Sequence, residues 1–465
     1  MTGTRAGAIE RAKAHFDSGA FEDDLARRVA YRTESQEPDR LPDCRRYLTD
    51  EIAPWLEKIG YRCGLHGNPD GRTGPFLVAE RHEGDDLPTL LTYGHGDVVR
   101  GIEEQWRDGL DPWAITVEGD RWYGRGTADN KGQHSIIMAA LAQVAAERGR
   151  HGFNSKLLIE TGEEVGSPGL DAFCAANREL LAADVLIGSD GPRMKADTAD
   201  VVLGNRGGIA FDLVVHLREG SVHSGHWGGV LEDPGIILAH ALASITDARG
   251  RILVEDWLPK DVPPAVKEAL RRLEVDPGDA SMTIPVDWGE PGLSLPEKVF
   301  GWTSFIVLAF LCGRPENPVN GVQPNARARC QIRFTADVDR ADLLPALRRH
   351  LDGRGFEKVA IEPAERGVFP AWRTDPDDPW VDWTRASVER TTGKPPALVP
   401  NQSGGLPSEL FHRNLGMPVI WIPHSYGGCK QHGPDEHLLA SVAREGLAIM
   451  TGLFWDLGES PPRSG

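Results

Sequence analysis

The chain has 465 residues, and its 51 Lys plus Arg against 69 Asp plus Glu leave a formal net charge of −18. This length exceeds what one hydrophobic core usually organises, which predicts two domains or one large domain carrying an insertion. Hydrophobic residues make up 40% and charged residues 26%, which excludes a disordered chain, and the acidic balance without a basic block disfavours nucleic acid and anionic membranes as partners.

The N-terminus and the cysteines indicate the compartment. The first residues lack the apolar core and cleavage site of a secretory signal, and no stretch approaches the roughly 20 apolar residues of a membrane helix. The six cysteines are scattered without a C-x-x-C pair, which indicates reduced thiols. We therefore expect a cytoplasmic protein, in which Cys429, close to His432, is an ordinary packed or partly exposed thiol.

Apolar runs alternate with helical patterns in the first part of the chain. Strand-like runs at 87–95, 156–160 and 184–188 are separated by helical patterns at 135–147 and 171–181. This alternation predicts an α/β layer with a mixed, mostly parallel sheet. Carboxylates and a histidine follow these runs directly, where open α/β sheets place their ligands.

The pattern changes after residue 205. Strand-like runs at 209–217, 326–334 and 358–363 alternate with helices at 236–245 and 341–351, and a Pro- and Gly-broken stretch covers about 258–300. The α/β pattern then resumes and closes with a helix through 438–457. We expect a first catalytic segment at 1–205, an inserted α+β lid or dimerisation domain at 206–363 and a second catalytic segment at 364–465.

Two short motifs come first among the chemical candidates. In Tyr93-Gly94-His95-Gly96-Asp97, a carboxylate two residues beyond a histidine could hold the ring nitrogen that does not bind a metal. In the glycine-framed turn 124–132, Asp129 stands before a long helix. By themselves these signals are weak, because His95 could be an ordinary histidine and Asp129 a plain helix cap.

Three further motifs contain paired or isolated ligand-type side chains. Glu163 and Glu164 follow a strand directly, and adjacent carboxylates repel unless a cation or a shared proton relieves them, although a solvated acidic loop would look the same. Asp190 ends another strand, and His432 stands about 240 residues later in His432-Gly433-Pro434-Asp435-Glu436.

Taken together and in this order, the five motifs resemble those of the metallopeptidase family M20, which includes dipeptidases, carboxypeptidases and N-acyl amino acid deacylases. The resemblance covers nearly the whole chain and implies a zinc-peptidase-like catalytic domain with an inserted domain. It implies two divalent metal ions, zinc first and cobalt or manganese as alternatives. His95, Asp190 and one oxygen of Asp129 would hold the first ion, and Glu164, His432 and the other oxygen of Asp129 the second.

The resemblance also assigns the remaining site residues. Glu163 matches the general base, Asp97 the partner of His95, and the Asp129-Asn130 peptide bond is cis in the family. His223, with His226 as a rival, matches a histidine that reaches the active site of a partner subunit in a homodimer. Asn320 and Arg333 match the family's substrate-binding pair, in which the guanidinium would grip a substrate carboxylate, and Gly404 and Gly405 would donate backbone N–H groups to the same carboxylate.

Some positions depart from the family pattern, and several functions stay open. Leu406 and Pro407 stand where relatives often have Ser or Thr, so one hydrogen bond to the substrate is in doubt. Arg100 replaces a proline, and neither change touches an expected metal ligand, although both bear on which substrate fits. The long inserted domain favours a dipeptidase or carboxypeptidase acting on small peptides. An N-acyl amino acid deacylase is the alternative, and a binding protein that has lost catalysis is a third, although no ligand or base is missing.

Overall fold

The computed structural model describes residues 3–275, 283–364 and 368–462. A π-helical turn, Tyr47–Ile52, separates α3 from α4. The α-helices of the described residues are α1 (Arg5–Asp17), α2 (Ala20–Val29), α3 (Leu41–Arg46), α4 (Ala53–Lys58), α5 (Lys131–Arg148), α6 (Leu170–Ala176), α7 (Arg178–Leu181), α8 (Ser224–Trp227), α9 (Pro234–Ile245), α10 (Pro264–Arg272), α11 (Leu295–Phe300), α12 (Leu343–Asp352), α13 (Pro379–Thr392), α14 (Ser408–Leu415) and α15 (Ala440–Leu457).

The β-strands are numbered in the same way along the chain. They are β1 (Arg62–His66), β2 (Phe76–Arg81), β3 (Thr89–His95), β4 (Thr116–Glu118), β5 (Arg121–Tyr123), β6 (Asn154–Glu160), β7 (Val185–Gly188), β8 (Pro192–Arg193), β9 (Asp200–Val202), β10 (Gly204–Asn205), β11 (Gly207–His216), β12 (Val222–His223), β13 (Ser304–Leu311), β14 (Gly321–Val322), β15 (Asn325–Phe334), β16 (Val359–Pro363), β17 (Trp372–Arg373), β18 (Ala397–Val399), β19 (Val419–Trp421), β20 (Ser425–Tyr426) and β21 (His437–Leu439).

The described residues divide into two compact units. The first contains 1–204, 374–399 and 406–465, and the second contains 205–373 and 400–405. The sequence interpretation put 364–465 entirely in the catalytic domain, whereas 368–373 and 400–405 cluster with the second unit. The catalytic role of the first unit and the lid or dimerisation role of the second remain predictions.

The first unit is built on an eight-stranded mixed sheet in the order β1-β2-β6-β3-β7-β19-β9-β18. Strand β3 is parallel to β6 and β7, and β19 is parallel to β7. The strands β1 and β2 extend the sheet in antiparallel fashion. Strand β6, Asn154–Glu160, lies between β2 and β3 and is buried along its whole length, as expected for an inner strand of the sheet.

Helices cover this sheet and bury the core of the first unit. Helix α15 packs against α5, α1 and α13. The middle of α5 is buried on all sides because its residues 135–141 are small or apolar, and Gly149, in the left-handed region at φ 81°, ends the helix. The carboxyl ends of the parallel strands β3, β6 and β7 meet at one edge of the sheet, and the loops that follow them carry the candidate ligands.

The second unit contains a four-stranded antiparallel sheet in the order β13-β15-β11-β16. Strands β11 and β15 pair without interruption from Gly207↔Phe334 to His216↔Asn325. Buried and less buried residues alternate along β15, and the buried ones pack with α9 and α12 in one core. The other face of the sheet carries charged side chains such as Arg327 and Arg329.

Within the second unit, the structure adds elements that the sequence interpretation did not assign. Helices α10 and α11 lie inside the stretch interpreted as broken by Pro and Gly, and the strand β13 follows it. Strand β13 forms an edge of the sheet, and most of its apolar residues are exposed. A continuous apolar run has no periodicity that separates a strand from a buried helix, so this strand leaves little signal in the sequence.

Two general expectations concern the whole chain. All six cysteines belong to the described residues and carry free thiols, as the sequence predicts. In residues 3–275, 283–364 and 368–462, no helix has both the length and the apolar character needed to cross a membrane.

Candidate metal centre

His95 is the last residue of β3 and is completely buried. Its Nδ1 lies 3.1 Å from the backbone carbonyl oxygen of Asp97 and 3.5 Å from the Asp97 carboxylate. The Asp97 carboxylate instead accepts the N–H groups of Glu163 and Glu164, each at 3.2 Å. Asp97 therefore contacts both sides of the site, with its carbonyl oxygen facing His95 and its side chain holding the Glu163–Glu164 turn.

The other nitrogen of His95 faces two carboxylates. Nε2 lies 3.0 Å from Oδ1 of Asp129 and 3.7 Å from Oδ2 of Asp190. Glu163 is also near, with its Oε2 4.0 Å from the same nitrogen. One imidazole nitrogen and two carboxylates converge here, which is a donor set that divalent zinc accepts.

A second group of donors lies on the other side of Asp129. His432 Nε2 is 3.2 Å from Oδ2 of Asp129 and 3.1 Å from Oε2 of Glu164. The ligand-type atoms of Asp129, Glu164 and His432 all lie within 4.8 Å of one another, and the same holds for His95, Asp129 and Asp190. Asp129 thus belongs to both groups, with one carboxylate oxygen facing each.

The clustered carboxylates repel one another, and the site is largely buried except at His432, whose side chain is 58% exposed. Burial, together with the nearby Asp190 and Glu164, raises the pKa of Glu163 well above its usual range. Burial and the neighbouring Asp129 raise the pKa of Glu164 to about 7 and that of Asp190 to about 6. A group of acids in this state is short of positive charge, which bound cations would supply.

Two buried atoms in the centre test whether metal ions fit. Among the described residues, Glu164 Oε1 has no hydrogen-bond partner, and His95 Nε2 makes no well-aligned hydrogen bond although it lies 3.0 Å from Asp129 Oδ1; both atoms are shielded from solvent. Buried polar atoms are rarely left in this way. Divalent ions bind to such nitrogen and oxygen atoms when carboxylates and imidazoles surround them. The residues present therefore fit a centre that holds two metal ions.

The loops that carry the ligands are held by buried polar contacts. The Asp129-Asn130 peptide bond is cis, as the family resemblance implies. The Asn130 side chain donates to the Ser189 carbonyl oxygen at 2.8 Å, next to Asp190, and its Oδ1 lies 3.1 Å from His134 Nδ1. The ring of His134 continues to the Tyr47 hydroxyl at 2.6 Å.

The sequence alone predicts no role for the side chains of Asn130, His134 or Tyr47. Only Asn130 had a signal, because it belongs to the turn that carries Asp129. Side chains on α5 and in the π-helical turn have no motif that predicts contact with this loop. The three residues fix the orientation of the loops bearing Asp129 and Asp190 through contacts visible only in the fold.

The second unit carries the other predicted residues. His223 ends β12 and pairs with Gly321, beside Asn320, whose carbonyl oxygen accepts the N–H of Ser224 at 3.0 Å. His223 Nδ1 accepts the N–H of Gly225 at 3.1 Å, so the neutral ring carries its proton on Nε2. His226 lies beside it, with 4.6 Å between the ring centroids.

Arg333 lies near the other end of β15. Its guanidinium stacks over the Phe369 ring at 4.7 Å and contacts the Ser403 carbonyl oxygen at 3.5 Å, directly before Gly404 and Gly405. Burial lowers its pKa from the usual value, yet a guanidinium stays charged at neutral pH. The structure thus brings Arg333 and the glycine pair together.

Asn320 and Arg333 do not come together within one chain. Arg333 pairs with Gly208 at one end of the β11–β15 ladder, and Asn325, five residues after Asn320, pairs with His216 at the other. Eight residues of antiparallel strand separate Asn325 from Arg333, which is roughly 27 Å at about 3.4 Å per residue. His223 and Asn320 form one group, and Arg333 with the glycines forms another.

Comparison with known proteins identifies the family of this chain. The model of Peptidase family M20/M25/M40 matches residues 91–456. A cysteinylglycine-S-conjugate dipeptidase of Corynebacterium striatum is 29% identical over 378 residues, covering 77% of this chain and 78% of that protein. A beta-Ala-His dipeptidase of Mus musculus is 28% identical over 494 residues, covering 99% and 97%.

A solved structure gives the same result for the fold. The dipeptidase Dug1p of Saccharomyces cerevisiae matches with a TM-score of 0.76 at 18% identity, covering 99% of this chain and 100% of that chain. This match confirms the predicted fold class, an α/β domain with a mixed sheet that is interrupted by an inserted domain. Because the family model spans most of the sequence, the chain belongs to peptidase family M20/M25/M40 and is a metallohydrolase.

Proposed function

We propose that this protein is a dinuclear metallodipeptidase that cleaves the amide bond of small peptides with a free carboxylate. The observation that carries the proposal is the position of Asp129, whose two carboxylate oxygens face two separate groups of donors. The names of the two curated relatives, both dipeptidases, support this substrate class over the acyl amino acids.

The donor groups indicate which residues would hold each ion. One ion would be bound by His95, Asp190 and Asp129, and the other by Asp129, Glu164 and His432. Imidazole and carboxylate ligands suit zinc best, and the same set accommodates cobalt or manganese. When bound, such ions polarise a carbonyl oxygen and favour ionisation of water.

Glu163 is the proposed general base. Its Oε2 lies 4.0 Å from His95 Nε2, so its carboxylate borders the donor group without belonging to either set of ligands. In the proposed reaction Oε2 accepts a proton from water as the water attacks the substrate carbonyl. The same oxygen then returns the proton to the departing amine nitrogen. Asp97 positions the base by accepting the Glu163 N–H.

Arg333, Gly404 and Gly405 are the proposed contacts of the substrate carboxylate. A guanidinium forms two parallel hydrogen bonds with a carboxylate, and its stacking on Phe369 limits the orientations available to it. The glycine pair follows Ser403, which Arg333 already contacts, so backbone N–H groups are available nearby. This arrangement favours a substrate that ends in a free carboxylate.

We propose that the enzyme acts as a homodimer, in which a partner completes the substrate site. A dipeptide spans about 7 Å when extended, much less than the roughly 27 Å of strand between Asn325 and Arg333. His223 and Asn320 therefore cannot act on the same dipeptide as Arg333 of their own chain. A second copy would supply them, with His223 Nε2–H donating to the substrate carbonyl oxygen.

The edge strand β13 supports the inserted domain as the dimer surface. Ile306, Leu308 and Leu311 are 47%, 54% and 57% exposed on an edge strand. Exposed apolar edges are a liability that a second copy would cover. Replacing Ile306 and Leu308 by Lys should give a monomer in sedimentation velocity, and a dimer that survives this double substitution would contradict this surface.

The free thiols of the described cysteines support the proposed cytoplasmic location, because reducing compartments keep thiols unpaired.

The substrate class is tested with the purified enzyme loaded with Zn²⁺, Co²⁺ or Mn²⁺ in turn. Dipeptides, longer peptides and N-acetyl or N-succinyl amino acids are assayed side by side. Turnover of dipeptides that stops on chelation and returns with metal is the expected result. Turnover of the acyl amino acids alone would establish a deacylase instead.

A further inference from the structure

Glu436 is a buried carboxylate for which the proposed reaction provides no role. It is 1% exposed and stands four residues after His432. Its Oε1 accepts the N–H groups of Ala128 and Asp129, each at 3.0 Å, and that of Gly126 at 3.1 Å. Its Oε2 accepts from Arg125 Nη1 at 2.7 Å. The Glu436 carboxylate thus accepts hydrogen bonds from the turn 125–129, which ends at Asp129, the residue that belongs to both donor groups.

The backbone joins the same two segments. The carbonyl oxygen of Glu436 accepts the N–H of Gly124 at 3.0 Å, and the next residue, His437, pairs with Tyr123 between β21 and β5. The turn bearing Asp129 and the loop bearing His432 are therefore connected through Glu436 by both main chain and side chain. Glu436 itself faces N–H donors and the Arg125 guanidinium, so it does not belong to either donor group.

We infer that Glu436 is a positioning residue, which sets the separation between Asp129 and His432 and thereby the geometry of the second metal site. This inference rests on the proposed dinuclear function. The chemistry requires a carboxylate, because both oxygens must accept hydrogen bonds. An amide offers one accepting oxygen and turns its NH₂ group toward N–H donors, which would push the 125–129 turn away.

Metal affinity tests this role directly. Metal-free Glu436→Gln, Glu436→Asp and unaltered protein are titrated with Co²⁺ and followed by visible absorption and by the number of ions bound. Loss of a group that orients ligands typically lowers metal affinity about 10- to 100-fold. We expect a loss of this size for one of the two ions in Glu436→Gln, and a smaller loss in Glu436→Asp, which keeps the charge beside Arg125.

Asp456→Asn is the matched control. Asp456 is also a buried carboxylate, 7% exposed, and accepts from Arg5, Ser387 and Arg390, away from both donor groups. We expect this variant to melt at a lower temperature and to bind both ions with unchanged affinity. Equal losses of affinity in Asp456→Asn and Glu436→Gln would reduce Glu436 to a general contribution to stability and overturn the inference.

The remaining outcomes separate the inference from the function on which it rests. Unaltered protein that binds fewer than two Co²⁺ ions would overturn the dinuclear function, and the inference with it. Unaltered protein that binds two ions, with both Glu436 variants matching its affinities, would overturn the role of Glu436 alone. If Glu436→Gln does not fold, the Glu436→Asp titration decides the question, because that variant retains the ion pair.

Discussion

The two units of the molecule hold their candidate residues in opposite ways. In the first unit, His95 and Asp190 are buried and His432 is 58% exposed. The turns that bear the candidate ligands are fixed by hydrogen bonds with side chains such as Asp97 and Asn130. In the second unit, His223 is exposed and Arg333 is only partly buried. The candidate ligands of the first unit are thus held by contacts within the chain, whereas we propose that His223 and Arg333 gain further partners from substrate or from a second chain.

This difference has an energetic meaning. Ordering a long side chain at the moment of binding costs conformational free energy, which a rigid site has already lost on folding. A rigid first unit suits the proposed ligands and base, whose positions must be accurate. More exposed side chains in the second unit suit the proposed contacts to a substrate that must enter and leave. We therefore expect substitutions in the first unit to affect turnover or metal binding, and substitutions in the second to affect substrate affinity or the sharing of sites between chains.

The largest effect is expected for Glu163→Ala. The variant should bind two ions but lose turnover by about 10²- to 10⁴-fold, because the proton acceptor is gone while the ligands remain. Elemental analysis and the steady-state rate check the two statements separately. Asp129→Ala is the control, which should lose metal together with activity. A Glu163→Ala enzyme with near-normal rates would show that the base lies elsewhere.

The next largest effect is expected for His223→Ala, because we propose that a second chain supplies His223 to the active site. His223→Ala should depress kcat strongly, and His226→Ala should leave it near the unaltered value. When His223→Ala and Glu163→Ala chains are co-expressed in equal amounts, random pairing in a two-fold dimer should restore about a quarter of the normal activity. A mixture no more active than its separate components would argue that each chain carries a complete site.

Arg333→Ala should act mainly on substrate binding. Hydrogen bonds to a charged group contribute about 1.5–3 kcal/mol, so KM for a dipeptide should rise about 10- to 150-fold. Arg333→Lys keeps the positive charge but loses the planar guanidinium that forms two parallel hydrogen bonds, so its KM should fall between those of the unaltered enzyme and Arg333→Ala. An amidated dipeptide, which has no carboxylate, should be equally poor for all three enzymes. Equal sensitivity of the amidated substrate to Arg333→Ala would contradict a carboxylate contact.

The sequence predicts the arrangement of the first unit better than that of the second. His95, Glu163 and Asp190 each follow an apolar strand-like run, and parallel strands bring such residues to one edge of the sheet. Within each donor group the ligand-type atoms lie within 4.8 Å of one another, and their roles as ligands remain predictions. Local sequence and a simple topological rule are enough to anticipate this cluster.

Other features depend on long-range geometry that no local pattern carries. Glu436 contacts backbone N–H groups some 310 residues earlier, and an N–H group has no residue-specific signature. The separation of Asn320 from Arg333 depends on the length and register of β15, since their spacing in the sequence is short. The apolar run of β13 is visible in the sequence, but its exposure is set by its place at the edge of the sheet.

The smallest expected effect is on the pH dependence of stability, and it is seen by comparing one buried carboxylate from each unit. Asp212, on β11, is paired with Arg327 and Arg329. Asp200, on β9, accepts the Met194 N–H at 2.6 Å, and its Oδ1 has no hydrogen-bond partner in the described part of the chain. Burial raises the pKa of Asp200 to about 7, so the folded protein favours its neutral form.

The sign of the pH effect follows from this shift. Between the ordinary aspartate value, near pH 4, and pH 7, the folded state binds a proton that the unfolded state has lost, so stability falls as pH rises through this window. Asp200→Asn should raise the melting temperature at pH 8 by a few degrees and leave it nearly unchanged at pH 5. Asp212→Asn should lower it at both values, because it breaks an ion pair. Equal shifts of Asp200→Asn at pH 5 and pH 8 would mean that Asp200 is already ionised in the folded protein throughout this range.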